Sequence, residues 1–169
     1  MVQSTPPQDR HSMKHLLVAT DGSAGARAAV EYTSEVLLSS LSIEQVTLVS
    51  VYEEFWAWMP EMDLAPIPQS TWDELSAMAL AQAQTVLREA AAALAQFTGG
   101  VKMLARGGRA SKEIVRAAQE VSADIIVIGS HRLGELGAVL LGSVEHAVVD
   151  QAPCPVLVVH PSVSVDTQR

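Results

Sequence analysis

A short apolar run and a glycine-rich loop occupy residues 123–143, whose sequence is ADIIVIGSHRLGELGAVLLGS. The run Ile125 to Ile128 lacks strict polar alternation, which is typical of a strand buried on both faces. The glycines that follow let backbone N–H groups approach an anion without a Cβ in the way. A helix that starts after Gly142 would add N-terminal N–H groups and a dipole that also favour an anion. The stretch therefore predicts a buried strand and a phosphate-binding loop from Gly129 to Ser143.

Apolar runs of the same kind recur on both sides of this stretch. They are His15 to Ala19, Val46 to Val51, Val101 to Ala105 and Pro155 to Val159. Apolar residues spaced by three and four fill the gaps and predict helices. These helices are Ala24 to Ser39, Thr71 to Phe97, Ser111 to Val121 and Leu136 to Gln151. Because a parallel strand is reached only by carrying the chain back over one face, the alternation predicts an α/β fold, a single doubly wound domain with a five-stranded parallel sheet flanked by helices.

Polar residues and glycines predict where the helices begin and end. Asp21 or Ser23 can cap the first helix, and Ser70 or Thr71 with Glu74 resembles a capping box for the second. Ser111 precedes the third helix, and Gly99-Gly100 follows the second as a C-terminal glycine should.

The ends of the chain and one internal segment depart from the alternating pattern. Residues 1–12 and 162–169 are polar and predict disordered tails around a domain at residues 13–161. The segment Glu53 to Gln69 contains three prolines and two tryptophans, which predicts a long loop. This loop is either a hydrophobic flap over its own domain or, if Phe55, Trp56 and Trp58 are exposed, a surface for a partner or ligand.

Composition excludes several classes of protein. A hydrophobic content of 49% with 18% charged residues excludes intrinsic disorder. The net charge of −8 carries no basic patch, which argues against nucleic-acid binding, and no apolar run is long enough for a membrane helix. The single cysteine, Cys154, is expected to be a buried structural thiol, and it fits a reducing compartment. We therefore expect a cytoplasmic protein.

The motifs of several enzyme classes are absent from the sequence. There is no Walker-type lysine loop, no dinucleotide-binding glycine pattern after the first strand and no nucleophile elbow. His11 and His15 fall in a tail and a strand, so a shared metal site is not expected, and Ser130 and His131 are adjacent residues that point apart. His146 and His160 are expected to be structural or surface residues. We predict no catalytic centre.

Four segments together carry a resemblance to a known family. They are VATDGS at residues 18–23, ADIIVIGSH at 123–131, LLGSVEHAVV at 140–149 and QAPCPVLVVHP at 151–161. In order and spacing the chain resembles the universal stress protein family from about Lys14 to Pro161. The resemblance implies the adenine nucleotide α-hydrolase-like fold and the signature G-x2-G-x9-G-[ST] of the family's ATP-binding branch. Gly129, Gly142 and Ser143 match the signature, whereas Arg132 replaces its second glycine.

The replacement by Arg132 leaves two interpretations open. Its guanidinium could bind the phosphates through charge-assisted hydrogen bonds. Alternatively, its side chain could fill the phosphate space, or the loop could lose a conformation that only glycine adopts easily. Gly134 and Gly137 lie close enough in sequence to supply the missing flexibility.

The resemblance also implies a set of nucleotide-binding residues. Val51 would lie beside the adenine, Thr20 and Asp21 near the base or ribose, and Ile128 and Gly129 under the nucleotide, with Ser143 and the N–H of Val144 on phosphate oxygens. The full predicted set is Ala19, Thr20, Asp21, Val51, Ile128, Gly129, Arg132, Gly142, Ser143 and Val144. The competing interpretation of Asp21 is a plain helix N-cap, and that of Val51 and Ile128 is ordinary core packing.

The function implied by the resemblance is a dimeric stress-response regulatory module that binds ATP or a related adenine nucleotide, with Mg²⁺ as the counter-ion. The homodimer would form through the last strand, Val156 to Val159, because an exposed apolar edge invites pairing. The alternative is a universal stress protein that binds no nucleotide. In it Arg132 closes the phosphate site, and the segment Glu53 to Gln69, called the Trp-rich loop below, binds a protein partner that the sequence does not identify.

Overall fold

The computed structural model describes residues 13–52, 68–130 and 142–161. Its strands are β1 (His15–Ala19), β2 (Gln45–Tyr52), β3 (Gly100–Gly107), β4 (Ile125–Gly129) and β5 (Val156–Val159). Its helices are α1 (Ala24–Tyr32), α2 (Leu38–Ser40), α3 (Gln69–Ala93), α4 (Ala110–Glu120) and α5 (Ser143–Gln151), and a π-helical segment (Thr33–Leu37) joins α1 to α2.

Several predictions fall on residues that are not described. The two predicted tails, most of the Trp-rich loop and the start of the helix predicted from Leu136 lie outside the described residues, as do His11, His131 and Arg132. Within residues 13–52, 68–130 and 142–161, no helix is long and apolar enough to cross a membrane.

The five strands form one sheet in the order β3-β2-β1-β4-β5, and every neighbouring pair is parallel. The chain builds outward from β1 through β2 to β3, then returns to the other side of β1 for β4 and β5. Strand order therefore reverses between β1 and β4, the point where open parallel sheets bind ligands at the carboxyl ends of their strands. The predicted doubly wound α/β fold is confirmed.

Strand β1 lies at the centre of the sheet and is buried on both faces. Leu16, Leu17 and Val18 are each 0% exposed. Leu16 and Val18 pack with Leu87 of α3 on one face, whereas Leu17 packs with Ile114 of α4 on the other. Burial of each of these side chains stabilises the fold by about 2 kcal/mol. Because both faces of β1 are buried, its sequence does not alternate between apolar and polar residues.

The helix starts agree with the sequence only in part. Ser23 is the N-cap of α1, where its Oγ accepts a hydrogen bond from the N–H of Ala26 at 3.2 Å. The capping box predicted at Ser70, Thr71 and Glu74 is wrong: α3 begins at Gln69 after Pro68, with no side-chain cap. The cap predicted at Ser111 is also wrong, because α4 begins at Ala110 after Arg109, and Ser111 is buried within its first turn.

The predicted ends of two helices also need correction. Gly99-Gly100 does not end α3, which stops at Ala93, and Gly100 already belongs to β3. A Cβ on Gly99 would lie closer than 3.0 Å to the carbonyl oxygen of Glu44, so this glycine lets the chain pass close to the start of β2. The single helix predicted from Ala24 to Ser39 is instead interrupted by the π-helical segment, where buried Thr33 donates its hydroxyl to the Ala29 carbonyl at 2.8 Å.

Polar groups join the amino ends of the strands. The Asp124 carboxylate, just before β4, accepts hydrogen bonds from the N–H groups of Lys14 and His15 at 2.8 and 2.9 Å. The His15 ring lies 2.7 Å from the Thr47 hydroxyl, measured between Nε2 and Oγ1. Burial lowers the pKa of His15 below its ordinary value of 6.5, and the positive charge of Lys102 lowers it further. The hydrogen bonds of Asp124 and His15 hold strands β1, β2 and β4 in register at this end.

Cys154 lies just before β5 and is half-buried, which is less burial than the predicted buried structural thiol implies. Its side chain packs at the margin of the apolar cluster that contains Ile114. Burial, and then the negative charge of Asp124, raise the pKa of the thiol. The reactive thiolate form is therefore disfavoured, as the prediction of a structural cysteine requires.

Candidate functional site

A cavity of about 500 Å³, measured to its open mouth, lies at the carboxyl ends of β1, β2 and β4. It is called the cleft below. Most of the residues predicted to bind nucleotide line it, and these are Ala19, Thr20, Asp21, Val51, Ile128, Gly129 and Val144. The structure thus brings together side chains that are separated by more than a hundred residues in sequence.

Three predicted residues do not line the described part of the cleft. Gly142 is the N-cap of α5, and Ser143 is the first residue of that helix and is exposed. Both directly precede Val144, which does line the cleft. Arg132 lies outside the described residues, so its two interpretations both stay open.

The floor of the cleft is apolar and includes residues that sequence reasoning missed. Ala26, Val49, Ala110 and Ile114 line it together with the predicted residues. Their sequence signals were those of ordinary core positions, because Val49 lies within a strand pattern and Ile114 within a helix pattern. A flat apolar ring fits such a floor, since pockets for small molecules combine apolar walls with a few placed polar groups.

The polar rim of the cleft begins where β1 ends. Thr20 is buried, and its backbone N–H donates to the Val49 carbonyl at 2.9 Å, which extends the pairing of β1 with β2. Asp21 is exposed, and its carboxylate accepts the N–H of Ser23 at 2.9 Å. Gly22 has a φ of +79°, which an L-residue rarely adopts. Asp21 therefore shapes the turn before α1, while the N-cap role belongs to Ser23.

Gly129 has a packing role that the sequence did not reveal. A Cβ at this position would lie closer than 3.0 Å to the carbonyl oxygen of Gly25 and the nitrogen of Ala26 in α1. The reverse also holds, because a Cβ on Gly25 would meet the carbonyl oxygen of Ser130. These two glycines let α1 and the end of β4 touch through their backbones. The contact fixes the wall of the cleft at Gly129.

Glu145 is a further residue of the cleft that could not be predicted from the sequence. It is 2% exposed, lies in the first turn of α5 and lines the cleft. Its Oε2 occupies the space beside Gly142, where a Cβ would come closer than 3.0 Å. An acidic residue in the first helical turn is common at the surface, so only its position three residues after Gly142 could have singled it out.

Ser130 interacts with a histidine other than the one beside it in sequence. Its buried Oγ lies 2.5 Å from Nδ1 of His160, and its N–H donates to the Val159 carbonyl at 2.9 Å. This pair ties the end of β4 to the end of β5 and is not part of the cleft lining. Among the described residues, no group of three or more His, Cys, Asp or Glu side chains could hold a metal ion.

Comparison with known proteins agrees with this fold. The model of the "Universal stress protein family" matches residues 13–160. A universal stress protein from Thermus aquaticus is 34% identical over 148 residues, covering 86% of this chain and 98% of the relative. The structure of MJ0577, a protein of Methanocaldococcus jannaschii, is similar with a TM-score of 0.71 at 28% identity, covering 90% of this chain and 99% of that one.

A universal stress protein solved in complex with cAMP is also similar, with a TM-score of 0.59 at 25% identity, covering 89% of this chain and 99% of that one. The family match, residues 13–160, spans nearly all of the described residues. This chain therefore belongs to the universal stress protein family.

Proposed function

We propose that this chain is a stress-response regulatory module whose cleft binds ATP or a related adenine nucleotide. The observation that carries the proposal is the cleft itself, which lies at the point of strand reversal and has an apolar floor and a polar rim. The similar universal stress protein in complex with cAMP supports an adenine nucleotide as the ligand class.

Each region of the lining suits a different part of the proposed nucleotide. The base would lie against Val49, Val51 and Ile114, where an apolar ring replaces water at the floor. Thr20 and Asp21 stand on the rim, where they would accept or donate hydrogen bonds to the ribose. We place the phosphates at the start of α5, because the N–H groups and the dipole at a helix N-terminus favour an anion.

A magnesium ion would accompany ATP as a counter-ion to its phosphates. Mg²⁺ prefers to keep several waters and to bind through one or two carboxylates and the phosphates themselves, so it needs no cluster of protein ligands. Asp21 is the exposed carboxylate on the rim of the cleft that could contact such an ion through water. We expect at most slow ATP hydrolysis, since the part of the cleft lining that the structure describes offers no nucleophile beside a base.

Calorimetric titration with adenosine, AMP and ATP tests nucleotide binding. Ala110→Phe should abolish the heat of binding, because its ring would fill the cleft from the start of α4. Ala92→Phe makes the same change on the exposed face of α3 and should bind as the unaltered protein does. Absence of heat with every ligand at millimolar concentration would refute the proposal and favour the alternative of a universal stress protein that acts through a protein partner.

The role of Arg132 is tested separately. If its guanidinium binds the phosphates, Arg132→Gly weakens ATP binding but not adenosine binding. If the side chain fills the phosphate space, the same substitution strengthens ATP binding. The two interpretations thus predict opposite signs in one titration.

We further propose a homodimer that forms through β5. This strand is an edge of the sheet, and its four apolar residues are all half-buried. Tyr32 and Val36, each 38% exposed, line a groove with Val159, so apolar surface continues beside the edge. Such an edge can pair with its twofold copy through backbone hydrogen bonds.

Light scattering at micromolar concentration should give the mass of two chains. Val36→Lys should shift the protein toward the monomer, because it places a charge in the groove beside β5. Met78→Lys is the matched control, since Met78 is 69% exposed on α3 and lies away from this edge. A monomeric mass for the unaltered protein would show that the dimer proposal is wrong.

A further inference from the structure

The carboxyl group of Glu145 lies beside the helix end where we place the phosphates. Glu145 is 2% exposed, although acidic side chains are rarely so deeply buried. It lies in the first turn of α5 and faces the cleft. The helix end that would attract a ligand's anion thus already has an anionic side chain of the protein beside it.

The backbone at Gly142 makes room for this arrangement. Gly142 is the N-cap of α5, and Oε2 of Glu145 lies where a Cβ on Gly142 would otherwise come too close. The carboxylate therefore folds back over the N-terminus of its own helix. In this position it receives the favourable field of the helix dipole that a bound phosphate would otherwise receive.

The charged side chains of the described lining also disfavour additional phosphates. Two of the described residues that line the cleft are acidic, Asp21 and Glu145, and none is a lysine or arginine. Each additional phosphate brings more negative charge toward these carboxylates. Repulsion between like charges is strong in a partly buried site, where water screens it less than at the surface.

From this geometry we infer that Glu145 determines ligand specificity by limiting the number of phosphate charges that the cleft accepts. The ligand class is an adenine nucleoside or monophosphate, in preference to the triphosphate. This inference rests on the proposed function, because it assigns a ligand class to the same cleft. It concerns a residue outside the set predicted from the sequence.

Titrations of the full chain with adenosine, AMP and ATP, in buffer containing EDTA to remove divalent cations, test the inference. In the unaltered protein the affinity should fall from AMP to ATP. Glu145→Gln removes the charge but keeps the shape and the capping ability of the side chain. In this variant the affinity for ATP should rise about tenfold, and that for adenosine should change less than about twofold.

Asp150→Asn is the matched control, because it removes one negative charge from an exposed position on the same helix. It should leave all three affinities within about twofold of the unaltered protein, whereas a general charge effect would move it together with Glu145→Gln. If adenosine binds, but Glu145→Gln binds ATP no more tightly than the unaltered protein does, the inference is wrong and the proposed function stands. No binding of any ligand to either protein overturns both.

Discussion

The two ends of the parallel sheet use their polar residues in different ways. At the amino end, Asp124 binds the backbone of Lys14 and His15, and the His15 ring contacts Thr47. At the carboxyl end, Asp21 and Glu145 line an open cleft above an apolar floor. One end therefore joins strands, whereas the other places charged groups around an open cleft.

We therefore expect polar residues at one end to matter for stability and those at the other end to matter for binding. A carboxylate that accepts two backbone N–H groups from a neighbouring segment should matter mainly for folding. A carboxylate on the rim of a cleft should matter mainly for its ligand. Substitutions at the two ends should therefore separate the two properties.

The largest effect is expected at Gly129. Gly129→Ala should lower the free energy of unfolding by about 3 kcal/mol, because its Cβ would meet the backbone of α1, which cannot move away without moving the helix. Gly142→Ala should cost only about 1 kcal/mol, since the atom in its way is the end of a flexible Glu145 side chain. Urea unfolding measures both. Equal losses in the two variants would contradict the backbone contact with Gly25.

The next effect compares Asp124 with Asp21. Asp124→Ala should lower the free energy of unfolding by about 2 kcal/mol, because two backbone hydrogen bonds to a charged group are lost. Its affinity for AMP, measured by calorimetry, should not change. Asp21→Ala should show the opposite pattern, with a loss of about 1 kcal/mol or less and weaker AMP binding. If both variants lose binding alike, the proposed division between the two ends fails.

The smallest effect concerns the pH dependence of stability. Burial lowers the pKa of His15 in the folded state, so the unfolded chain binds a proton at a higher pH than the folded chain does. Stability from this group is therefore complete above pH 6.5 and decreases as the pH falls through the window between 6.5 and the lowered pKa. Urea unfolding across that window should show a shallower decrease for His15→Gln. Identical pH profiles for the two proteins would rule out this role of His15.

The fold could be predicted from the sequence because the hydrophobic pattern within each segment indicates its secondary structure. The central strands are short apolar runs separated by helical spacing, and burial on both faces suits a run such as His15–Ala19. The same burial was expected of Val101 to Ala105 and is wrong there, because β3 is an edge strand whose first half is exposed. The helix starts were less predictable. Ser111 resembles a cap, yet α4 begins one residue earlier and uses that serine within its buried face.

The candidate site was predictable only where a motif marked it. Thr20, Asp21 and Gly129 end strands and could be placed at the same edge. The contact of Gly129 with Gly25 joins residues far apart in sequence, so no local pattern reports it. Glu145 was missed because burial of an acidic side chain depends on how α5 packs over the cleft, which the sequence alone does not specify.

The most direct test of nucleotide binding is a crystal structure of the full chain grown with AMP. We expect density for the adenine against Val51 and Ile114 in the cleft, with the ribose near Asp21. An empty cleft at millimolar AMP would contradict nucleotide binding in the cleft. So would AMP bound elsewhere, for example in the groove that Tyr32 and His160 line beside β5.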